Sequence, residues 1–466
     1  MVFCCIVSRA WGVIPLSFFA CAAGEAALLR FAPARFAPDL RQPLVIATSW
    51  GGYGAWMWLV AALCIGFASI AYVRTVRNLA AERSEMRVTA IAATAAASLL
   101  GALLCPVTFS SDVYAYGAYG LMAAVGLNPY DHVHLTTFDP LVTAAIWQWS
   151  NPLPACVYGP AFVWIAAAIV SATHGFGVTA QLFSLKVLAC SALLACVPLA
   201  AAAFGKMPRG IRFAAAAGIA LNPVILWTAA EGHNDALMLA VALSGFILLR
   251  RFGTFAGTFA VALSTLVKFP GIAAAAGIAL WNVSNRARFT QALGAIALGS
   301  FVTVASAWPF LQTASFRGHG PYAPQASPQF VVATLLAPAA GARAPLLAAA
   351  IVGLVCAAVA IAGCRAVFAR DASGYAVLGL AAWYALPNPY PWYALWVLPA
   401  VFLAPQTRAG RALWIATLAI FIRYLFDVSN PTPAAGFALA LAAFAPPLVA
   451  LRYGQRKTAL EPPGKP

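Results

Sequence analysis

One carboxylate in this chain, Asp112, directly follows an apolar run, near the start of a segment (109–155) that contains no Lys or Arg. In polytopic membrane proteins positive charge collects on the cytoplasmic side, and its absence indicates a translocated loop. A carboxylate at such a membrane exit has the chemistry of a general base, which takes a proton from an attacking hydroxyl. The structural alternative is a helix N-cap, in which Asp accepts backbone N–H groups and contributes about 1 kcal/mol.

A second polar group interrupts two apolar runs at 231–235, with the sequence Glu-Gly-His233-Asn234-Asp235. A plain turn would need only Gly, Ser or Asn, so this cluster of ionisable and amide side chains predicts a site for a polar ligand. Lys268 lies in apolar sequence just before Pro270. A lysine in that setting either extends its ammonium group to the interface or meets an anion, and a lipid phosphate is the anion that we expect.

Two further segments carry candidate ligand-binding residues. Arg317 and His319 lie in a Gly/Pro-rich loop and predict a second anion contact. The segment 126–134 turns at Asn-Pro and then becomes polar, with Tyr130, Asp131 and His132. Its two histidines are spaced i, i+2, which is not a recognised metal motif, so we predict no metal site and leave metal dependence open.

The composition indicates that membrane helices must position these residues. The chain is 63% hydrophobic and 9% charged, with a mean hydropathy of +0.85, and these values exclude an ordinary soluble domain. The formal charge of +16 comes from basic residues that punctuate apolar runs, without a basic block interleaved with aromatic residues, so we exclude a nucleic-acid partner. The ten cysteines lie mostly in apolar runs without zinc-like spacing, which predicts small buried hydrophobes. Glu25, inside the first apolar run, is expected to find a partner within the bundle.

The apolar runs predict the helices. A spanning helix needs about 20 apolar residues, and we predict about 11–14 spans in an all-α polytopic membrane protein. The candidate spans are 11–30, 50–73, 88–108, 181–204, 213–230, 235–249, 254–281, 289–310, 345–364, 375–388, 391–405, 412–427 and 433–451. Residues 1–451 are thus predicted to form one domain with an uncleaved first helix, followed by a basic, Pro-rich and disordered cytoplasmic tail at 452–466.

The basic residues also predict the orientation. The basic segment 74–87 is expected in the cytoplasm, so the span 88–108 leads outward and Asp112 lies outside. If 156–172 crossed the membrane, the basic segment 206–212 would also lie outside, against the charge rule. A re-entrant or partial helix over 158–171 removes this conflict and places 231–235 outside. In the outer loop 109–155, the segments 113–125 and 139–149 are predicted to be interfacial helices, held at the headgroup level by their aromatic residues.

Several motifs in this order resemble the GT-C class of integral-membrane glycosyltransferases over residues 85–430. They are similar in particular to the polyprenol-phosphomannose-dependent α-1,6-mannosyltransferases of actinobacterial lipoglycan synthesis. The motifs are Ser111-Asp112-Val-Tyr114, Gly126-Leu-Asn-Pro-Tyr130, Val157-Tyr158-Gly-Pro160, Leu221-Asn-Pro223 with Gly232-His-Asn-Asp-Ala-Leu-Met238, and Lys268-Phe-Pro270. The resemblance implies a GT-C-like bundle of transmembrane helices with a large first outer loop.

The resemblance also implies an activity. It indicates a glycosyltransferase that moves a sugar, mannose in the similar enzymes, from a polyprenyl-phosphate donor to a lipid or glycan acceptor. The reaction would take place on the periplasmic face of the bacterial inner membrane, without a nucleotide sugar or another cofactor. Asp112 matches the catalytic carboxylate on the first outer loop. Many GT-C enzymes carry two adjacent acids there, whereas this chain has one, which weakens the case for a metal bridging an acidic pair.

These implied roles can be assigned to residues of this chain. Asp112 is the general base, and Lys268, helped by Arg317 or His319, stabilises the charge of the phosphate leaving group. Polar side chains of 231–235 are expected to bind sugar or acceptor hydroxyls, and outer aromatic residues are expected to form stacking walls for sugar rings. The further substrate-binding residues that we predict are Tyr114, Tyr130, Asp131, His132, Tyr158, His233, Asn234, Asp235 and Trp392.

The alternative hypothesis is a transporter or flippase of a lipid-linked saccharide, because broken helices and intramembrane polar residues are typical of that class too. Against it stand the absence of a detectable inverted repeat and the concentration of polar residues on one face. A non-catalytic scaffold would leave Asp112 and the 233–235 cluster without a purpose.

Overall fold

The computed structural model describes residues 10–31, 52–84, 86–131, 139–148, 153–311, 326–429 and 431–453. Over these ranges the chain is built from helices joined by short connections, and it contains no β-strand. Large apolar side chains such as Leu63, Phe67 and Leu354 remain more than half exposed on the outer faces of the helices. Such surfaces are typical of helices that face lipid, and the prediction of an all-α polytopic membrane protein is confirmed.

The helices of the first half alternate between long apolar rods and shorter pieces that begin at Pro or Asp. They are α1 (Val13–Phe31), α2 (Gly52–Ala80), α3 (Val88–Leu103), α4 (Asp112–Ala124), α5 (Pro140–Gln148), α6 (Pro160–Thr173), α7 (Val178–Ala203), α8 (Arg209–Ala220), α9 (Pro223–Ala230) and α10 (Asp235–Phe252).

The second half repeats this alternation of long and short helices. It contains α11 (Thr254–Ala262), α12 (Gly271–Trp281), α13 (Arg286–Leu311), α14 (Pro328–Ala340), α15 (Ala344–Phe368), α16 (Ser373–Ala385), α17 (Ala394–Leu403), α18 (Arg408–Ala419), α19 (Ile422–Ser429) and α20 (Pro433–Tyr453). The helix α14 was missed in the sequence, because its 13 residues are fewer than a span needs and include a second proline.

By length and composition, seven helical segments in the described ranges are able to cross a membrane, or eight if the bent pair α8–α9 counts as one span. The seven are α1, α2, α7, α13, α14 with α15, α18 with α19, and α20. Five shorter apolar helices accompany them, namely α3, α6 with its following turn, α11 with its following turn, α12, and α17 with its preceding turn.

The predicted continuous span 213–230 is wrong, since the structure divides it into α8 and α9, whose axes are bent by 43°. Pro223 opens α9 because it has no backbone N–H to lose at the first helical position. Asn222 caps the helix, as its side-chain oxygen accepts the Val224 N–H at 3.0 Å. The Asn222 amide also donates to the Thr417 hydroxyl at 3.1 Å, which anchors the break inside the bundle.

The predicted span 254–281 is also broken. The helix α11 ends at Ala262, a 3₁₀ turn follows over Leu263–Leu266, and α12 begins only at Gly271. Residues 267–270 between the turn and α12 contain Lys268 and Pro270. The sequence places Lys268 just before Pro270, and the structure has its helix break there, with the lysine side chain buried in the protein.

The two predicted helices of the outer loop are confirmed as α4 and α5, but the side chains of α4 do not form an aromatic belt. Tyr114, Tyr116 and Tyr119 are buried, and α4 packs against α5, α6 and α7. A Cβ on Gly120 would approach the Ala166 carbonyl carbon to 2.6 Å, so the glycine permits close contact between α4 and α6. The interfacial expectation is therefore corrected for the tyrosines of α4, which face protein.

The basic segments lie together at one end of the bundle. The Glu82 carboxylate accepts the Gly210 N–H at 3.0 Å, and the Arg250 guanidinium donates to the carbonyl oxygen of Ala202. The segments 74–87 and 206–212 therefore share an end, as the interpretation of 158–171 as a partial helix requires, and α6 is indeed only 14 residues long.

Candidate functional site

Asp112 is the first residue of α4, and its side chain points into protein, with the residue 8% exposed. Its Oδ2 accepts hydrogen bonds from the Tyr158 hydroxyl at 3.2 Å and the Tyr116 hydroxyl at 3.4 Å. Tyr116 follows Asp112 by four residues and so lies on the same face of the helix. The N-cap position belongs to Ser111. The carboxylate is thus oriented by two tyrosines and does not occupy the cap position that the structural alternative required.

The environment of Asp112 makes its carboxyl a stronger base than usual. Burial raises the pKa of Asp112 to about 6, because removal from water penalises the charged form. The Lys268 ammonium and the hydroxyls of Tyr158 and Tyr116 act in the opposite direction, whereas the charge of Asp235 raises the pKa further. A carboxyl group with a pKa near 6 is ionised at neutral pH and is still basic enough to accept a proton during a reaction.

His233 lies beside this carboxylate. Its Nδ1 is 3.6 Å from Oδ2 of Asp112 and 3.5 Å from the hydroxyl of Tyr116. Burial, and secondarily the charge of Lys268, lower the pKa of His233 well below its usual value, so the imidazole is neutral. We assign the proton to Nδ1, which faces the carboxylate, and this tautomer leaves Nε2 as a hydrogen-bond acceptor.

The Trp392 ring packs against the imidazole of His233. The two rings stack with centroids 3.9 Å apart and planes 18° apart. Tyr390 stacks on Trp392 with centroids 4.5 Å apart, and the Arg423 guanidinium lies over Tyr390 at 4.9 Å. Both faces of Trp392 are therefore covered by protein rings. Trp392 is predicted to bind substrate, and its ring contacts in the structure are with His233 and Tyr390.

Polar atoms without a partner lie next to His233 in the sequence. Asn234 occupies the N-cap position of α10 and is 2% exposed. Neither its amide oxygen nor its amide nitrogen has a hydrogen-bond partner among the described residues, and the same holds for Nε2 of His233. Because buried polar groups in native proteins are nearly always hydrogen-bonded, these three atoms point to a polar ligand, as the sequence predicted for 231–235.

Asp235 and Lys268 form a fully buried ion pair. The Lys268 ammonium donates to Oδ2 of Asp235 at 2.9 Å, and the Trp396 indole N–H donates to Oδ1 at 2.5 Å. Each oxygen of Asp235 thus has one protein donor, and the carboxylate holds the Lys268 ammonium. The ammonium group also lies 5.4–5.8 Å from the ring centroids of Tyr158, Tyr393 and Trp396. The sequence predicts a lipid phosphate as the partner of Lys268, and within the described residues its ammonium pairs with Asp235.

A backbone contact brings Tyr158 and Lys268 together. The two residues form an isolated antiparallel bridge, in which the Gly159 N–H donates to the carbonyl before Lys268 at 2.9 Å. A Cβ on Gly159 would lie 2.3 Å from the carbonyl group of Leu266, so only glycine permits this approach. Tyr130 supports the bridge, because its hydroxyl donates to the Tyr158 carbonyl at 2.8 Å. The predicted residues Tyr130, Tyr158 and Lys268 are therefore neighbours.

Glu231, which opens the same polar segment, has a structural contact on each oxygen. It accepts the Phe109 N–H at 3.0 Å and the Tyr424 hydroxyl at 2.8 Å. Burial raises the pKa of Glu231 to about 7, although these two hydrogen bonds oppose the increase. The residue ties the segment that leads to Asp112 to the end of α9 and to α19.

The remaining predicted residues are placed less directly. Tyr114 is fully buried in the apolar core that surrounds α4 and α6, and Asp131 is half-buried in the turn that follows Asn128. Three predicted residues, His132, Arg317 and His319, lie outside the described residues.

Two residues of the site were not predicted from the sequence. Tyr116 lies one helical turn after Asp112, and this i, i+4 spacing was an available signal. Trp396 lies on α17, four residues after Trp392. Its contact with Asp235 depends on packing between distant segments, and no local sequence pattern predicts it.

The fold and the site together define an integral-membrane protein with a buried cluster of polar and ionisable side chains around Asp112 and His233. The chain belongs to the alpha-(1→6)-mannopyranosyltransferase family, since the profile of that family's N-terminal domain matches residues 11–284. The match includes the site from Asp112 to Lys268, whereas Trp392 and Trp396 lie beyond it.

Curated relatives with similar sequences come from three actinobacteria. An alpha-(1→6)-mannopyranosyltransferase of Mycobacterium tuberculosis is 30% identical over 156 residues, which are 32% of this chain and 25% of the relative. Alpha-(1→6)-mannopyranosyltransferase A of Corynebacterium glutamicum is 27% identical over 180 residues, which are 36% of this chain and 35% of the relative. A probable alpha-(1→6)-mannopyranosyltransferase of Mycolicibacterium smegmatis is 31% identical over 157 residues, 31% of this chain and 26% of the relative. The aligned segments thus cover between 25% and 35% of the relatives' own length. No solved structure matches the chain.

Proposed function

We propose that this chain is a glycosyltransferase that moves a mannosyl group from a polyprenyl-phosphate donor to a hydroxyl of a lipid or glycan acceptor. The observation that carries the proposal is the arrangement around Asp112, a buried carboxylate next to three unpartnered polar atoms of His233 and Asn234. Membership of the family and the names of the relatives support mannose as the sugar and an α-(1→6) linkage as the product.

In the proposed reaction, Asp112 acts as the general base. The acceptor hydroxyl attacks the anomeric carbon of the donor, and its proton passes to the carboxylate as the new glycosidic C–O bond forms. The bond between the anomeric carbon and the phosphate oxygen breaks, and polyprenyl phosphate leaves with the electron pair. A phosphate leaving group needs little protonation, so one carboxylate is sufficient. Direct displacement of this kind converts a β-linked donor into an α-linked product.

The unpartnered atoms of His233 and Asn234 are suited to hold the sugar. Nε2 of the neutral imidazole accepts a hydrogen bond from a hydroxyl, and the Asn234 amide offers one acceptor and two N–H groups. Nδ1 of the same imidazole lies 3.6 Å from Oδ2 of Asp112, and Asn234 is the next residue in the chain, so the proposal places the bound hydroxyl near the carboxylate. Because the site is buried, the hydrogen bonds form without competition from bulk water.

Lys268 is assigned to the phosphate. Its ammonium group has three N–H donors, and one of them is directed to Asp235. It also lies close enough to Asp112 to lower the pKa of that carboxyl. A cation in this position stabilises the negative charge that develops on the phosphate as the bond breaks. Asp235 and Trp396 act as positioning residues, since they hold the ammonium group against the aromatic rings.

The proposed reaction takes place on the periplasmic side of a bacterial inner membrane. Two observations support this side. The basic segments 74–87 and 206–212 adjoin each other through the Glu82–Gly210 contact, and such segments are retained in the cytoplasm. The helix α3 begins directly after the first of these segments and leads to Asp112 at its other end. The apolar outer faces of the helices are suited to the prenyl chain of the donor.

The test is product formation by the purified protein. The protein, reconstituted in lipid nanodiscs, is incubated with polyprenyl-phosphate [¹⁴C]mannose and an α-mannoside acceptor. We expect a labelled product that is extended by one hexose, carries an α-(1→6) linkage and requires Asp112. A parallel incubation uses polyprenyl-phosphate [¹⁴C]glucose as the donor. A product formed from this glucosyl donor alone would change the assigned sugar. No product from either donor would refute the transferase, and movement of intact donor across proteoliposomes without bond formation would establish the transporter instead.

A further inference from the structure

A second polar cluster lies inside the bundle, away from the site around Asp112. Glu25, on α1, is completely buried, and neither of its carboxylate oxygens has a hydrogen-bond partner in the described part of the chain. The partner within the bundle that the sequence predicts for Glu25 is therefore absent from the hydrogen bonds and ion pairs of the described residues. A buried carboxylate is costly unless it is paired, protonated or bound to a metal.

Cysteine thiols surround this carboxylate. The Sγ atoms of Cys21 and Cys105 and a carboxylate oxygen of Glu25 all lie within 4.8 Å of one another. Cys21 is on α1, one turn before Glu25, and Cys105 follows the end of α3. Cys64, on α2, contacts Cys21 through its thiol. The helix α1 and the segment after α3 thus bring two thiols and one carboxylate together, and the Cys64 thiol on α2 adjoins them through Cys21. The prediction that the cysteines are merely small hydrophobes is incomplete for these three.

The dimensions and the donor atoms suit a zinc ion. In a tetrahedral site with Zn–S distances of about 2.3 Å and Zn–O distances of about 2.1 Å, neighbouring ligand atoms are about 3.5–3.8 Å apart. The cluster needs side-chain shifts of only about 1 Å to reach this geometry. Mixed thiolate and carboxylate donors favour Zn²⁺, because Cu⁺ prefers sulfur alone and Mg²⁺ and Ca²⁺ prefer oxygen alone.

The charge around the cluster is also appropriate. With Cys64 as a third thiolate, three thiolates and one carboxylate around Zn²⁺ carry a net charge of −2, which favours a nearby cation in an apolar interior. Lys186, on α7, is 5% exposed and donates to the Cys105 carbonyl at 3.4 Å. Its ammonium group interacts electrostatically with both Cys105 and Glu25. This lysine offsets one of the two negative charges of the cluster.

We propose that Cys21, Cys105 and Glu25 bind a structural zinc ion, with Cys64 as the fourth ligand. Binding releases the thiol protons of the coordinating cysteines. The ion ties α1 and α2 to the end of α3, from which the chain continues directly to Asp112. This role is independent of the transferase proposal, because the cluster contains none of the residues assigned to substrate.

The test begins with the metal content of the full chain, purified in detergent through a metal-free affinity tag and analysed by inductively coupled plasma mass spectrometry. We expect about one zinc per chain in the wild type. Cys105→Ser and Cys21→Ser should lower the content at least about tenfold, and Glu25→Gln should weaken zinc affinity about 10–100-fold. The matched control is Cys196→Ser, which replaces an equally buried cysteine whose thiol donates to the Ala236 carbonyl, and it should retain full zinc.

A second measurement uses the wild-type protein alone, in case a variant fails to insert. A membrane-permeant maleimide should modify Cys21 and Cys105 slowly, and at least about tenfold faster after a zinc chelator is added, as expected for thiolates released from a metal. The reactivity of Cys356 should not change. A protein without zinc that also fails to bind added Zn²⁺ would overturn the proposal. A zinc content that Cys105→Ser and Glu25→Gln leave unchanged would also overturn it. So would a disulfide between Cys21 and Cys105.

Discussion

The carboxylate of Asp112 and the imidazole of His233 lie 3.6 Å apart, although α5 to α9 separate them in the chain. The Trp392 ring fixes the plane of the imidazole, and the Tyr158 hydroxyl fixes the carboxylate. Because the imidazole is neutral and the carboxyl has a pKa of about 6, the carboxyl is the stronger base of the two. This difference supports the proposal that Asp112 accepts the proton, with His233 as the residue that orients it and binds a hydroxyl.

Replacement of Asp112 by Asn should remove catalysis and preserve the fold. The amide oxygen still accepts the hydrogen bonds of Tyr158 and Tyr116, but the side chain cannot take a proton. We expect kcat to fall by about 10²–10⁴-fold, as for loss of a general base, with donor affinity close to that of the wild type. Radiolabel transfer and donor binding measure the two quantities. The exposed Asp371→Asn variant serves as a control and should keep full activity. Near-normal turnover by Asp112→Asn would exclude the residue as the base.

The pH dependence of kcat/KM should report the ionisation of Asp112. The protonated carboxyl cannot act as a base, so the rate should fall as the pH drops through about 6 and reach a plateau above it. Tyr158→Phe removes a hydrogen bond that favours the ionised form, so the pKa should rise and the profile should move to higher pH. A shift of up to about one pH unit is expected, since a hydrogen bond to a charged group contributes about 1.5 kcal/mol. A shift to lower pH would contradict the assigned contact.

The fold class, and several of the residues that the structure brings together around Asp112, could be predicted because each depends on a local pattern. Apolar runs of sufficient length located most of the helices. Asp112, the 231–235 segment and Lys268 were recognised because ionisable groups beside or within apolar runs are costly and are retained for a reason. The shared end of the basic segments followed from charge alone, and the Glu82–Gly210 contact agrees with it.

The details that could not be predicted depend on contacts between distant segments. No local pattern shows that Tyr390 and His233 cover both faces of Trp392, or that Lys268 and Trp396 occupy both oxygens of Asp235. The broken helices were missed for a related reason. A run of apolar residues predicts one continuous helix. The break at 221–222 is instead stabilised by the hydrogen bond between Asn222 and Thr417, which is distant in the sequence.

The ion pair of Lys268 and Asp235 allows stability and donor binding to be separated. Asp235→Asn leaves the Lys268 ammonium buried without its partner and should destabilise the protein by about 3–5 kcal/mol. Lys268→Ala should weaken donor binding. The double variant Lys268→Met/Asp235→Asn removes both charges, so it should regain most of the lost thermal stability without regaining donor affinity. Thermal unfolding in detergent and donor titration measure the two effects. Wild-type donor affinity in the double variant would exclude Lys268 from the phosphate site.

Activity should require glycine at position 159, because the Leu266 carbonyl group leaves no room for a Cβ there. An alanine Cβ at this position would lie 2.3 Å from the Leu266 carbonyl group, so Gly159→Ala should push Tyr158 away from Lys268. A displacement of about 1 Å in a catalytic site lowers the rate by about 10²-fold. Gly66→Ala is the matched control, since its Cβ on α2 would meet nothing within 4 Å. Equal activity of the two variants would show that the bridge does not position the site.

The buried amide of Asn234 should bind a ligand, and in the free protein its unsatisfied polar atoms should lower the stability. Its amide is buried and has no partner among the described residues, so Asn234→Leu, of similar volume, removes two unsatisfied polar atoms. Such a change is neutral or stabilising, whereas loss of the hydrogen bonds to a sugar costs about 1–3 kcal/mol, which is about a 5–150-fold increase in KM. Asn282 provides the contrast, because this similarly buried amide donates to the Ile278 carbonyl at 2.8 Å. Asn282→Leu should therefore lower the melting temperature of the free protein, and Asn234→Leu should not. An Asn234→Leu variant with a lower melting temperature and an unchanged KM would assign the residue to the fold and not to the ligand.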